Sequence, residues 1–255
     1  MASERRSVAG AAPGISQLPF APRRRLRVLC LHGWRTNAEL LGVQLAPIRG
    51  QLGEDAELVF AEGHRRSSLP SDEAVGVLSS PPYFEWWRET VAADGTVSYH
   101  FEDGLLQSII DMKRLIERDG PFDVLLGFSQ GATLCALMSA LLLQREVADA
   151  TSPLLATMPD LSGLPPWRAV VLMCGVFPES ALIPNFERHR MPMAALHVLG
   201  KQDVHYPSGR KLVDCFVGDS GHIFEHDGGH EAGTDPRRTA ALVRKLHATV
   251  GTREH

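Results

Sequence analysis

Two rhythms of apolar and polar positions alternate along this chain. Short, mostly apolar runs at Arg27-Val28-Leu29-Cys30-Leu31-His32, Glu57-Leu58-Val59-Phe60-Ala61, 122–126, 169–174, 194–200 and 222–226 are bounded by glycine or polar residues and read as buried strands. Between them, apolar positions recur at helical spacing. Asn37 can cap a helix carrying Leu40, Leu41, Val43, Leu45 and Ile48, which Pro47 should bend or end early. Leu105, Leu106, Ile109, Ile110, Met112, Leu115 and Ile116 mark a second helix, stopped at Asp119-Gly120-Pro121. A run of helix formers covers 132–143, a short helix is expected over 211–217, and Asp235-Pro236 opens a last helix bearing Ala240, Leu242, Val243 and Leu246. Strands alternating with helices predict an α/β fold: a mostly parallel central sheet covered by helices on both faces.

Two stretches break the rhythm and read as irregular insertions. Residues 62–101 hold Pro70, Pro81, Pro82 and the aromatic cluster Tyr83-Phe84-Glu85-Trp86-Trp87; residues 145–167 hold Pro153, Pro159, Pro165 and Pro166. Residues 26–255 are read as a single domain around them. Residues 1–25, with Glu4 as the one acid among many Ala, Ser, Pro and Arg, read as a disordered tail; a transit peptide is the alternative.

Composition narrows the function classes. A chain with 44% hydrophobic and 22% charged residues is of the soluble globular type, and a formal charge of −4 gives no general attraction to nucleic acid or anionic membranes. No apolar run is long enough to span a bilayer. The cysteines, Cys30, Cys135, Cys174 and Cys215, show no CxxC or metal-ligand spacing and read as reduced thiols, which suits the cytoplasm. No metal or cofactor is expected, and the expected partner is a small molecule.

The chemistry concentrates at Leu126-Gly127-Phe128-Ser129-Gln130-Gly131-Ala132. Gly-x-Ser-x-Gly between a strand and a helix is the pattern of a nucleophile elbow, a turn too tight for side chains at its two glycines, which pushes the serine out at the carboxyl end of the strand. The Gln130 backbone N–H, at the start of the following helix, can face a developing oxyanion. A second such donor should come from the loop after the first strand, and the Trp34 N–H is the candidate. His32, which ends that strand, is expected to hold the loop by a hydrogen bond. Serine needs a base, and the base an orienting acid, in the chain order serine, acid, histidine. Asp203, just beyond a strand at Gly200-Lys201-Gln202, is the favoured acid over Asp214, Asp219 and Asp227. His230, in Asp227-Gly228-Gly229-His230 ahead of the last helix, is the favoured base over His197, His205, His222 and His226. Tyr83, Phe84, Trp86 and Trp87 could wall an acyl pocket beside Ser129 or pin their loop to the core; both readings stay open. Arg65-Arg66 reads as a solvated charge pair.

Taken together, Leu29-Cys30-Leu31-His32-Gly33-Trp34, Pro81-Pro82-Tyr83-Phe84-Glu85-Trp86-Trp87, Gly120-Pro121-Phe122-Asp123, the elbow, the 200–203 turn and Gly228-Gly229-His230 resemble the FSH (family of serine hydrolases) group of α/β-hydrolases over roughly residues 26–250. That group includes fungal polyketide thioesterases and an ovarian-cancer-associated hydrolase. The resemblance implies an α/β-hydrolase fold, a catalytic Ser129, Asp203 and His230, and oxyanion amides at Trp34 and Gln130. The chain departs from the group where Asp-Ala-Pro usually follows the second strand, since Ala61-Glu62-Gly63-His64 stands here, and where Val-Pro usually follows the histidine region, since Glu231-Ala232-Gly233 stands here. Neither departure removes a catalytic group, and both are expected to reshape the pocket rim. The expected activity is hydrolysis of carboxylic esters or acyl thioesters through an acyl-enzyme on Ser129. The alternatives are a non-catalytic ligand-binding protein on a hydrolase fold and an acyltransferase.

Overall fold

The structure, a computed structural model, describes residues 24–143, 154–181, 183, 186–217, 223–232 and 235–251. Most of the expected tail, the start of the 145–167 stretch, Asp219 and His222 lie outside the described residues. The chain enters through β1 (Leu26–Leu31), followed by α1 (Ala38–Gln44), α2 (Ala46–Leu52) and β2 (Ala56–Ala61). Asn37 caps α1 by accepting from the Leu40 N–H at 2.8 Å. The expected break falls at Leu45, and Pro47 sits in the first turn of α2, where a missing N–H costs no helical bond.

The stretch 62–101 is not irregular. It forms β3 (Arg65–Ser67), α3 (Glu73–Leu78), β4 (Tyr83–Glu85), β5 (Arg88–Val91) and β6 (Val97–His100), with β3 antiparallel to β4 and β5 antiparallel to β6. Strands of three or four residues are too short to show a period along the chain, so their pairing is a tertiary outcome. The remaining elements are α4 (Leu105–Asp119), β7 (Val124–Phe128), α5 (Gln130–Leu142), β8 (Ala169–Met173), β9 (Ala194–Gly200), α6 (Tyr206–Val213), β10 (Ile223–His226) and α7 (Pro236–Val250). The helix expected over 211–217 starts earlier, at Tyr206-Pro207, because proline suits a first turn; its expected end instead leaves the helix, and Phe216 bridges to Met191.

Six parallel strands form the central sheet in the order β10-β9-β8-β7-β1-β2. Alternate residues of each strand face opposite ways. Val28, Cys30, Val124, Leu126, Val171 and Leu196 pack under α1, α2 and α7, while Leu29, Leu31, Leu125, Val170, Leu172 and Ala195 pack under α4, α5 and α6. Every residue of α5 is buried, as expected of a helix apolar on all sides. Chain order reverses between β1 and β7: β2 lies to one side, and β8, β9 and β10 to the other. The carboxyl ends of β1 and β7 therefore flank the crevice where ligands bind in open parallel sheets. Among the described residues, no helix is long and apolar enough to cross a membrane.

Candidate active site

Ser129 sits at the tip of β7 in a backbone conformation (φ 53°, ψ −117°) that a residue with a side chain adopts only under constraint. The constraint is visible on both sides. The Ser129 N–H donates to Met173 O at 2.8 Å, and the Ser129 carbonyl accepts from Ala132 and Thr133 in the first turn of α5. At Gly131, a Cβ would lie 2.3 Å from Leu31 O, so only glycine lets α5 start so close to β1.

The His230 loop is zipped to the Asp203 turn by backbone bonds, Lys201 N–H to His226 O at 2.8 Å and Gln202 N–H to Gly228 O at 3.0 Å. A Cβ on Gly200 would fall 2.1 Å from Gly229 O, so that residue's lack of a side chain permits the approach. The imidazole spans the gap: Nε2 lies 2.9 Å from Ser129 Oγ, and Nδ1 2.7 Å from Asp203 Oδ2. Phe128 and His205 hold the ring edges, with centroids at 5.1 and 5.3 Å. Asp203 is buried, and its Oδ1 accepts from the His205 N–H at 2.8 Å. Burial pushes its carboxyl up, but the bond to His230, that ring's charge and the His205 amide outweigh burial and hold it below the usual carboxylate range. Burial, then the His230 charge, lowers His205.

Of the rival residues, His205 sits beside the His230 ring without a bond to Ser129, and the others lie elsewhere. His197 is buried in β9 against Phe216, and His226 is buried with its Nδ1 accepting from the Gly228 N–H. Asp227 pairs with Lys201, and Asp214 caps the end of α6.

The loop after β1 is braced against the elbow. A Cβ on Gly33 would meet Phe128 at 3.1 Å and the Ser129 Cβ at 3.4 Å, which puts the start of this loop directly beside the serine. Thr36 Oγ1 donates to Gly33 O at 2.8 Å, and the Phe84 N–H donates to Thr36 O at 2.7 Å. His32, fully buried, holds the neighbouring loop: its Nε2 accepts from the Gly63 N–H at 3.0 Å and its ring stacks on Trp86. Gly63 belongs to the departure Ala61-Glu62-Gly63-His64. Neither the Trp34 nor the Gln130 backbone N–H donates to a protein acceptor among the described residues, and both residues border the same cavity as Ser129.

That cavity, about 210 Å³, is also lined by Val75, Glu89, Tyr99, Val176 and His230. A wider cleft of about 520 Å³ adjoins it and shares Val97, Tyr99, Val176 and His205. Tyr83, Phe84, Trp86 and Trp87 line neither. Trp86 and Trp87 are 1% exposed and sit in the core with α4 and α5; Tyr83 packs on Leu40 and Val75, and Phe84 bridges to Thr36. Large rings bury more apolar area in the core than at a pocket wall, so the pinning alternative is the one realised. The Trp86 indole donates to His32 O at 2.8 Å, and the Gln130 side chain accepts from the Trp86 N–H and donates to Trp87 O, tying this segment to the elbow. Arg65 is no free charge either; it pairs with Glu85 and Asp103.

Sequence reasoning passed over Glu89. It is buried on β5, and its Oε1 accepts from Gln130 Nε2 at 2.7 Å. The one signal was an acid two residues after Trp-Trp, which ordinarily reads as an outward-facing strand position. Burial, reinforced by Glu85 and opposed by the Gln130 bond, pushes its carboxyl up to about 8. The folded state then holds a proton that the unfolded chain releases near 4.5, so stability should fall as pH rises from about 4.5 to about 8. Glu89→Gln is expected to remove that slope. Urea midpoints should converge at acid pH and favour the variant by up to a few kcal/mol at pH ~8; parallel pH profiles would contradict the assignment.

Cys174, Asp203 and His230 bring potential ligand atoms within 4.8 Å of one another. Burial pushes the Cys174 thiol up to about 12, and Asp203 and His230 are hydrogen-bonded to each other, so the cluster presents an acid–base pair and a neutral thiol.

The family model described as serine hydrolase (FSH1) matches residues 22–236, most of the chain. The chain belongs to this family. Among relatives, mouse esterase OVCA2 is 32% identical over 224 residues, spanning 83% of this chain and 91% of the relative. Hydrolase phiM from a fungal species (strain ATCC 74256) is 28% identical, spanning 88% and 92%. Esterase pigG of Monascus ruber is 27% identical, spanning 85% and 88%. Among solved structures, Zea mays acyl-protein thioesterase 2 aligns with a TM-score of 0.58 at 16% identity, covering 89% of this chain and 94% of that one. The carboxylesterase of Mesorhizobium loti aligns at 0.54 and 19%, covering 88% and 89%. This FSH1 member thus has the α/β-hydrolase fold and is a hydrolase.

Proposed function

We propose that this FSH1 hydrolase cleaves carboxylic esters, acyl thioesters included, through an acyl-enzyme on Ser129. The observation that carries the reading is the unbroken line from the Ser129 hydroxyl through His230 to Asp203, with the serine opening into a cavity. In this reading the Asp203 carboxylate accepts a hydrogen bond from the His230 Nδ1–H, which leaves the Nε2 lone pair facing the hydroxyl. His230 accepts the Ser129 proton as Oγ attacks the acyl carbonyl, and the imidazolium is stabilised by Asp203. The Trp34 and Gln130 amides hold the tetrahedral oxyanion. His230 then protonates the leaving alcohol or thiol. Water enters and attacks the acyl carbon as His230 takes its proton; His230 then returns that proton to Ser129 Oγ as the acyl–oxygen bond to the serine breaks and the acid leaves. Relatives named as esterases support an ester substrate.

The test is a serine-directed phosphonate together with activated esters. One adduct per chain, mapped to the peptide holding Ser129, and loss of turnover in step with labelling are expected; turnover that survives full labelling would sink the reading. The same reading takes residues 26–255 as one domain. It also puts the enzyme in the cytoplasm, since Cys30, Cys135 and Cys174 are buried, free thiols.

A further inference from the structure

Glu89 and Tyr99 face each other directly across the β5–β6 ribbon, and both line the cavity beside Ser129. Hydrolysis as described uses neither. The walls around them mix apolar Val75, Val91, Val97, Val176 and Phe128 with polar Thr36, Asp72, Thr133 and His205. Glu89 is 8% exposed, and a carboxyl buried in such a place is costly unless something hydrogen-bonds it. Gln130 uses one acceptor position of that carboxyl, which has further lone pairs and, when protonated, an O–H to offer. Tyr99 stacks on Phe101, which fixes its ring against the core while it borders both the cavity and the adjoining cleft.

We propose that Glu89 and Tyr99 form a hydrogen-bonding subsite for a neutral oxygen, a hydroxyl or keto group, on the acyl chain of the substrate. The proposal rests on the ester-hydrolase reading of Ser129 and names the kind of acyl group that site prefers. Burial keeps the Glu89 carboxyl protonated around neutrality, and burial with the nearby Glu89 and Glu179 raises Tyr99, so its phenol stays neutral. Two neutral O–H groups can each donate to, or accept from, an oxygen on the ligand. An ammonium group would need an ionised carboxylate instead, and a plain hydrocarbon would leave both groups unpaired.

The experiment compares kcat/KM for nitrophenyl esters of hexanoic acid, a keto-hexanoic acid and an amino-hexanoic acid, on the full chain. The wild type should favour the keto ester over the plain ester by about tenfold, the worth of one good neutral hydrogen bond. Tyr99→Phe and Glu89→Leu should each pull that ratio towards one, while Glu89→Gln, which still hydrogen-bonds, should keep most of it. Three results overturn the subsite: a ratio near one in the wild type, variants that slow both esters equally, or a preference for the amino ester. Failure of the underlying reading looks different. It is the absence of turnover on all three esters together with no phosphonate adduct on Ser129.

Discussion

Ser129→Ala is expected to lower ester turnover by on the order of 10⁵-fold and to abolish phosphonate labelling. The loss is so large because the hydroxyl has no substitute: it is the group within 2.9 Å of His230 Nε2, and water in its place would be neither held at the elbow nor oriented by it. On the proposed reading the Trp34 and Gln130 amides still face the carbonyl oxygen in this variant, so a small rate above background should persist. Folding should be untouched. Alanine keeps the Cβ that residue 129 already carries at φ 53°, and the backbone bonds from residue 129 to Met173, Ala132 and Thr133 remain. The urea midpoint should therefore match the wild type within about 0.5 kcal/mol. A variant that folds normally and keeps more than about a hundredth of the turnover would show that another residue is the nucleophile.

Asp203→Asn should cost about 10⁴ in kcat, and the reason is a proton on the wrong nitrogen. The two carboxylate oxygens of Asp203 have different partners: Oδ1 accepts from the His205 N–H and Oδ2 faces His230 Nδ1. An asparagine must keep its carbonyl towards the His205 donor, so its NH₂ turns to His230. That NH₂ needs an acceptor, which puts the imidazole lone pair on Nδ1 and its proton on Nε2, pointing at Ser129. The ring is in place but cannot take the serine proton. Asp203→Ala removes the misdirecting donor and should lose less specifically, with a less ordered ring. The measurement is kcat on an activated ester at neutral pH, with circular dichroism to check the fold. Activity within tenfold of the wild type would assign the orienting role to another acid.

These two expectations came within reach of sequence reading to different degrees. The elbow was legible because its chemistry is local: a strand, two glycines and a helix start within nine residues dictate where Ser129 points. The alternation of buried runs with helical spacing likewise predicted the α/β layering, since burial on both faces leaves a period in the chain itself. His230 and Asp203 were legible only as one option each among several histidines and acids. What singles them out is the close approach of the 228–230 loop to Gly200, a contact between segments nearly thirty residues apart.

The aromatic segment marks where one-dimensional reading stops. Tyr83, Trp86 and Trp87 announce a large apolar area without saying which side of the loop receives it; the structure turns them into the core and places Glu89 and Tyr99 at the cavity instead. β3 to β6 were invisible for a related reason, because each is held by a partner strand and not by its own pattern. The sequence by itself determined the layered sheet and the exposed position of Ser129 at the turn, since each follows from neighbours along the chain. Only the tertiary structure decided which histidine and acid reach that serine and which side chains line its cavity, because hydrogen bonds and packing act through space and leave no period along the chain.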